Sequence, residues 1–213
     1  GNCATVPADL VSWWPGEGNV NDVRTNHPGT IHGATFAAGK VGQAFRFNGV
    51  DDYVDVGNWN PGSTWTVEAW VNPSSIPPSL PNSRRTIAGG VSDCLDWGIA
   101  MQDGAFGVVI RQPGGCTDTV RSPVPAVTNT WYHVVGTCDG VTATIYVNGE
   151  KNGSGPVERA YLGSLSGTRI GGEVCCGGNN FPGLIDEVSI YGRALSETEI
   201  QTIFAAGSAG KCR

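Results

Sequence analysis

Oxygen donors crowd the stretch Asn19-Val-Asn-Asp-Val-Arg-Thr-Asn-His-Pro-Gly29, where Asn19, Asn21, Asp22 and Asn26 stand in a loop broken by Pro and Gly. Calcium takes about six to eight oxygens from carboxylates, amides and backbone carbonyls, and such a loop offers several at once. A carboxylate from a neighbouring segment would complete the set. Asp186 is the candidate, because it stands inside the apolar run Leu184-Ile-Asp-Glu-Val-Ser-Ile-Tyr191. An ionised carboxylate in such a strand must be paired or bind a metal. The competing reading makes the loop residues side-chain turns and pairs Asp186 with Arg24 or Arg193.

A second constellation suits sugars, which are held by aromatic faces beside carboxylates, amides and guanidinium groups. Asp93, Asp96 and Trp97 lie in Ser92-Asp-Cys-Leu-Asp-Trp97, Arg111 closes the hairpin that follows, and Asn179 sits in the loop Gly177-Gly-Asn-Asn-Phe181. Trp97 and Trp70 suit a sheet-filling core equally well. Hydrolysis has less support. A glucanase needs two carboxylates about 5–5.5 Å apart, as a same-face pair on a strand would provide. Asp186 and Glu187 are adjacent, so regular alternation sends them to opposite faces. Glu197 and Glu199 belong to a helix start, and His27, His32 and His133 have no nucleophile in a Gly-bounded elbow near them. The expectation is a protein that binds and does not catalyse.

The elements that must position these groups are short strands. Trp65-Thr-Val-Glu-Ala-Trp-Val71 alternates, with Trp65, Val67, Ala69 and Val71 inward and Glu68 and Trp70 outward. Asp103-Gly104, Asp139-Gly140 and Asn148-Gly149 are hairpin turns. The proline-rich stretches 72–82 and 122–125 read as loops. In Leu195-Ser-Glu-Thr-Glu-Ile200, Ser196 and Glu199 form a capping box and Leu195 staples onto Ile200. Strands recur without long intervening helices, which excludes a parallel α/β sheet. The fold expected over residues 1–213 is an all-β, two-sheet antiparallel jelly-roll sandwich in one domain, with one short C-terminal helix.

A formal net charge of −6 with no basic run argues against nucleic acid and anionic membranes as partners. No apolar stretch approaches the roughly 20 residues that span a bilayer. Seven cysteines without paired C-x-x-C spacing point to disulfides and an oxidising compartment. Cys3 and Cys212 would tie the ends, and Cys94 and Cys116 flank the hairpin at Asp103-Gly104. For the rest, either Cys138 joins Cys175 or Cys176, or the adjacent pair bonds and Cys138 stays a buried thiol. A secreted or cell-surface protein is expected.

Six stretches together resemble a known family: Leu10-Val-Ser-Trp-Trp-Pro-Gly-Glu-Gly-Asn19, Gly39-Lys-Val-Gly-Gln-Ala-Phe-Arg-Phe-Asn-Gly-Val-Asp-Asp-Tyr-Val54, Trp65-Thr-Val-Glu-Ala-Trp-Val71, Thr130-Trp-Tyr-His-Val134, Tyr146-Val-Asn-Gly149 and Gly183-Leu-Ile-Asp-Glu-Val-Ser-Ile-Tyr-Gly-Arg-Ala-Leu-Ser196. They are similar to the bacterial-type laminin-G-like domains of the concanavalin A-like lectin/glucanase superfamily, in the family's order and over nearly the whole chain. The resemblance implies the jelly roll and a structural calcium near the N-terminal loop and the C-terminal strand. Asp22 and Asp186 would then be side-chain ligands, with Asn26 and Thr30 adding oxygens. Lectins and glycan-binding modules are among that superfamily's members, and the side-chain chemistry described above puts recognition of an extracellular glycan at Asp93, Asp96, Trp97, Arg111 and Asn179. Adhesion to a surface protein, or self-association into a larger structure, is the alternative.

Overall fold

The computed structural model describes residues 2–76, 84–91, 95–111, 118–157, 167–173 and 179–213. Fifteen strands and one α-helix form among them. One antiparallel sheet contains β1 (Leu10–Trp14), β3 (Thr35–Ala38), β4 (Gln43–Asn48), β6 (Trp65–Pro73), β11 (Tyr132–Cys138), β12 (Thr142–Val147), β13 (Glu150–Pro156) and β15 (Pro182–Tyr191). Its order is β13-β12-β11-β6-β15-β4-β3, and β1 also pairs with β15. The other contains β2 (Thr30–His32), β5 (Tyr53–Asp55), β7 (Arg85–Val91), β8 (Leu95–Gln102), β9 (Ala105–Ile110), β10 (Asp118–Pro125) and β14 (Gly167–Ile170), in the order β10-β9-β8-β7-β14-β5-β2. The chain is thus the expected two-sheet jelly-roll sandwich.

The inner faces meet in one core. Trp65, Val67, Ala69 and Val71 of β6 enter it from one sheet, and Trp97, Ile99 and Met101 of β8 from the other. Burying side chains of this size contributes roughly 1.5–3 kcal/mol each. Asn148 and Gly149 both take positive φ, 54° and 79°, as a two-residue turn between β12 and β13 requires. A side chain at Gly149 would also strike Phe204, whose ring lies 2.9 Å from the ideal Cβ position. The stretch 122–125 is a correction: it belongs to β10, a strand at the edge of its sheet, where a proline's missing N–H breaks no ladder.

The outer face of the eight-stranded sheet carries α1 (Glu197–Ala206). Its capping box is complete: the Glu199 amide donates to Ser196 Oγ, and the Ser196 amide donates to Glu199 Oε2. Leu195, Ile200 and Ile203 pack with Val135, Tyr146 and Tyr191 in a second apolar cluster. Phe204 stacks on Trp70, and Lys40 lies 4.4 Å from the Trp70 ring centre. Trp70 is therefore covered on this face.

The ends meet here as well. Cys3 and Cys212 form a disulfide, with Cα atoms 5.0 Å apart. Among the described residues Cys138 is a buried free thiol, donating to the Ser63 carbonyl. That places it with the alternative in which it stays unpaired. Cys94, Cys116, Cys175 and Cys176 lie outside the described residues.

Candidate ligand-binding surface

Strands β2, β5 and β14 lie side by side, with Thr30 opposite Asp55, His32 opposite Tyr53, and Arg169 opposite Asp55. Val54 and Ile170 enter the core, so alternation turns Tyr53, Asp55 and Arg169 outward. The His32 and Tyr53 rings stack with centres 4.4 Å apart and planes 12° from parallel. The Arg169 guanidinium carbon lies 3.9 Å from the Tyr53 ring centre. Because β5 runs between β2 and β14, these two groups cover opposite faces of Tyr53. The result is a three-layer stack whose last exposed aromatic face is that of His32.

Polar groups border the stack. Arg169 Nε lies 3.9 Å from Asp55 Oδ2, and Arg169 Nη1 donates to the Glu173 carbonyl. Glu173 is buried, and both carboxylate oxygens are engaged, one by Thr86 Oγ1 and one by Asn179 Nδ2, each at 2.8 Å. Thr30 and Asp55 retain exposure beside the His32 ring. An exposed ring with a carboxylate and a hydroxyl at its edge can hold the C–H face of a sugar while exchanging hydrogen bonds with its hydroxyls, and Arg169 supports the ring stack from behind Tyr53. His32, Tyr53 and Arg169 were not among the sequence-predicted ligand residues, since only strand pairing brings them together. The alternation in Tyr53-Val-Asp55 and Thr168-Arg-Ile170 was the available signal.

The predicted ligand residues are divided. Asp96 and Arg111 do meet, Arg111 Nη1 lying 3.2 Å from Asp96 Oδ1, but the Asp96 side chain is fully buried. Trp97 is a core residue, set against Trp59 and Trp65, and offers no platform. Its place inside follows from the inward parity of β8. Asn179 joins Glu173 near the start of β7, whereas Asp96 stands at the level where β7 ends. Asp93 lies outside the described residues.

The four proposed calcium donors do not converge either. Asp22 accepts the backbone N–H groups of Trp13 and Arg24 on Oδ1 and those of Asn26 and His27 on Oδ2. Its lone pairs are spent within its own turn and on β1. Asn26 donates its side-chain amide to the Val11 carbonyl. Thr30 belongs to the seven-stranded sheet and Asp186 to the eight-stranded one. Asp186 Oδ2 accepts the Val41 amide, and Oδ1 is buried without a hydrogen-bond partner. Burial drives the Asp186 carboxyl up to about 8, partly opposed by the Val41 bond and reinforced by Glu187. With Asp22 saturated by four backbone N–H groups and Asp186 Oδ2 taken by the Val41 amide, these residues do not assemble a shared calcium site. Among the described residues, no three His, Cys, Asp or Glu side chains are grouped to hold a metal.

The expectation that Asp186 and Glu187 face opposite ways is also overturned. Glu187 takes φ 56°, and the register of β15 against β6 shifts between Asp186 and Ser189. This bulge places both carboxylates on the outer side of the sheet. There Glu187 meets the Lys211 ammonium at 3.3 Å and the Trp13 indole N–H at 3.1 Å.

The chain belongs to the concanavalin A-like lectin/glucanases superfamily, whose laminin-G-type family model matches residues 48–201. Among curated proteins none matches it in sequence. Solved structures share the fold. Domain 4 of AbnA, an extracellular GH43 arabinanase of Geobacillus stearothermophilus, in complex with arabinotriose, is 22% identical with a TM-score of 0.74, covering 91% of this chain and 97% of that one. The binding domain of Paraclostridial Mosquitocidal Protein 1 is 20% identical with a TM-score of 0.68, covering 92% of this chain and 52% of that one. Trypanosoma rangeli sialidase in complex with sialic acid is 20% identical with a TM-score of 0.71, covering 96% of this chain but 34% of the sialidase.

Proposed function

We propose that this chain is a non-catalytic carbohydrate-recognition module acting outside the cell, and that the His32–Tyr53–Arg169 surface is where it meets the glycan. The observation that carries this reading is the exposed His32 ring, backed by Tyr53 and Arg169 and edged by Thr30 and Asp55. Membership of the superfamily supports it, as does the arabinotriose bound by the similar arabinanase domain. The Cys3–Cys212 disulfide suits an oxidising compartment. A binding role is also favoured by the state of the clustered carboxylates: Glu68, Asp186 and Glu187 are buried, and Glu68 and Glu187 are engaged by Lys211.

Calorimetric titration with arabinotriose and a panel of neutral oligosaccharides tests the proposal. At least one sugar should bind at millimolar concentration or below, and His32→Ala should weaken it about tenfold, the loss expected for one stacking contact. No heat from any sugar, or an unchanged affinity in the variant, would overturn it. Absence of all sugar binding would favour a surface that meets protein.

A further inference from the structure

We propose a second saccharide site, on the outer face of the eight-stranded sheet, that takes an acidic sugar through Arg46. Thr35, Arg46, Leu184 and Asn72 form one cross-strand row over β3, β4, β15 and β6. Phe45, Ile185 and Val71 of the neighbouring row enter the core, so alternation turns the first row outward. Away from α1, this row floors a cleft of about 580 Å³, walled by Asn48, Asp52, Ser74 and Asn129. That volume lies in the range of small-ligand sites, about 300–1,000 Å³.

The chemistry of the cleft is specific. Arg46 is exposed, lines the cleft, and makes no ion pair or hydrogen bond among the described residues. The side chains of Asn72, Ser74 and Asn129 are likewise without partners there. Leu184, half-buried, supplies an apolar patch at the floor. At the far wall stands the Asp52 carboxylate, whose Oδ2 accepts the Asn48 amide. A free guanidinium pairs bidentately with a carboxylate. Amides, a hydroxyl and a carboxylate oxygen around it match the ring hydroxyls of a sugar, and Leu184 meets its C–H face. A sugar with one carboxylate and several hydroxyls, as in a hexuronate oligomer, satisfies all of these groups together. Neutral sugars leave Arg46 unanswered.

Trigalacturonate and its methyl ester keep the same rings and hydroxyls but differ in the charge of the carboxyl groups, so titrating both into the intact protein tests the assignment. The acid should bind about tenfold more tightly than the ester, as one charge-assisted pair implies, and its advantage should shrink with added salt. Arg46→Gln should erase the preference without lowering the melting temperature, because Arg46 holds no partner. Asn72→Ala should weaken both ligands alike. His32→Ala should leave the preference intact, which separates this cleft from the surface on the other sheet. Equal binding of acid and ester, or a preference surviving Arg46→Gln, would overturn the proposal.

Discussion

Lys211 Nζ lies 3.0 Å from Glu68 Oε1, and neither side chain is more than 1% exposed. The same ammonium reaches Glu187 Oε2 at 3.3 Å. The tail is brought there by its neighbours: Ala4 N donates to the Gly210 carbonyl, Cys212 N donates to the Ala4 carbonyl, and Cys212 is bonded to Cys3. Burial pushes Glu68 upward, but the Lys211 ammonium and the His133 ring beside it together more than cancel this and hold its carboxyl at about 2. Burial lowers Lys211, and the two carboxylates more than restore it, so its value rises above the ordinary one. Each charge depends on the other being present.

Lys211→Met should therefore cost about 3–5 kcal/mol, the loss expected when one partner of a buried pair is removed. Adding Glu68→Gln should recover part of that loss by removing a stranded charge. Urea unfolding of both variants checks this. If the single variant is as stable as the parent, the pair is not the anchor described.

Cys3→Ser should destabilise by about 2–5 kcal/mol, the usual effect of losing a native disulfide. Because the bond seats Lys211, the losses from Cys3→Ser and Lys211→Met should overlap. A double-mutant cycle should show coupling of at least about 0.5 kcal/mol. Strict additivity would mean that the tail docks without the bond.

Asp186 and Glu187 share a direction: burial raises both carboxyls above their ordinary values, Asp186 to about 8. In the unfolded chain an Asp loses its proton near pH 3.9. Between about pH 4 and pH 8 the native state therefore binds more protons than the unfolded one, and stability falls as pH rises through that window. At lower pH Glu68 acts oppositely. Its stabilising effect is present above its unfolded value and is lost as pH falls towards about 2. Asp186→Asn mimics the protonated acid and should flatten the decline between pH 4 and 8. Melting temperatures across that range decide it. Added calcium should raise neither protein's melting temperature; a rise in the parent that vanishes in Asp186→Asn would restore Asp186 as a ligand.

Much of the fold was legible because it follows local rules. The alternation in Trp65-Thr-Val-Glu-Ala-Trp-Val71 assigns core and outer faces correctly, and Ser196 with Glu199 marks the helix start. Cys3 with Cys212 was readable as a tie between the ends. What failed depended on pairings and dihedrals that a linear pattern does not contain. The φ of Glu187 breaks the alternation after Asp186, so two adjacent acids share a face. Proline at 123 and 125 reads as a loop until the edge position of β10 is known. The candidate surface was hidden because His32, Tyr53 and Arg169 come from three distant strands. Trp97 and Asp96 were read as ligand groups because burial is not visible in residue type.

Asp22 offers the sharpest separation of the two readings of the N-terminal loop. Its carboxylate gathers four backbone N–H groups, tying Arg24, Asn26 and His27 of its own turn to Trp13 of β1. A carboxylate that accepts several backbone N–H bonds acts as an organiser of the backbone. Asp22→Ala strands those donors and should cost about 2–4 kcal/mol. Asp22→Asn should be nearly as damaging, because its amide NH2 would face two of the N–H groups in place of an acceptor. Both losses should be the same in calcium and in chelator, as read from melting curves in each. A loss present only in calcium would mean that Asp22 serves a bound ion and that the turn forms around it.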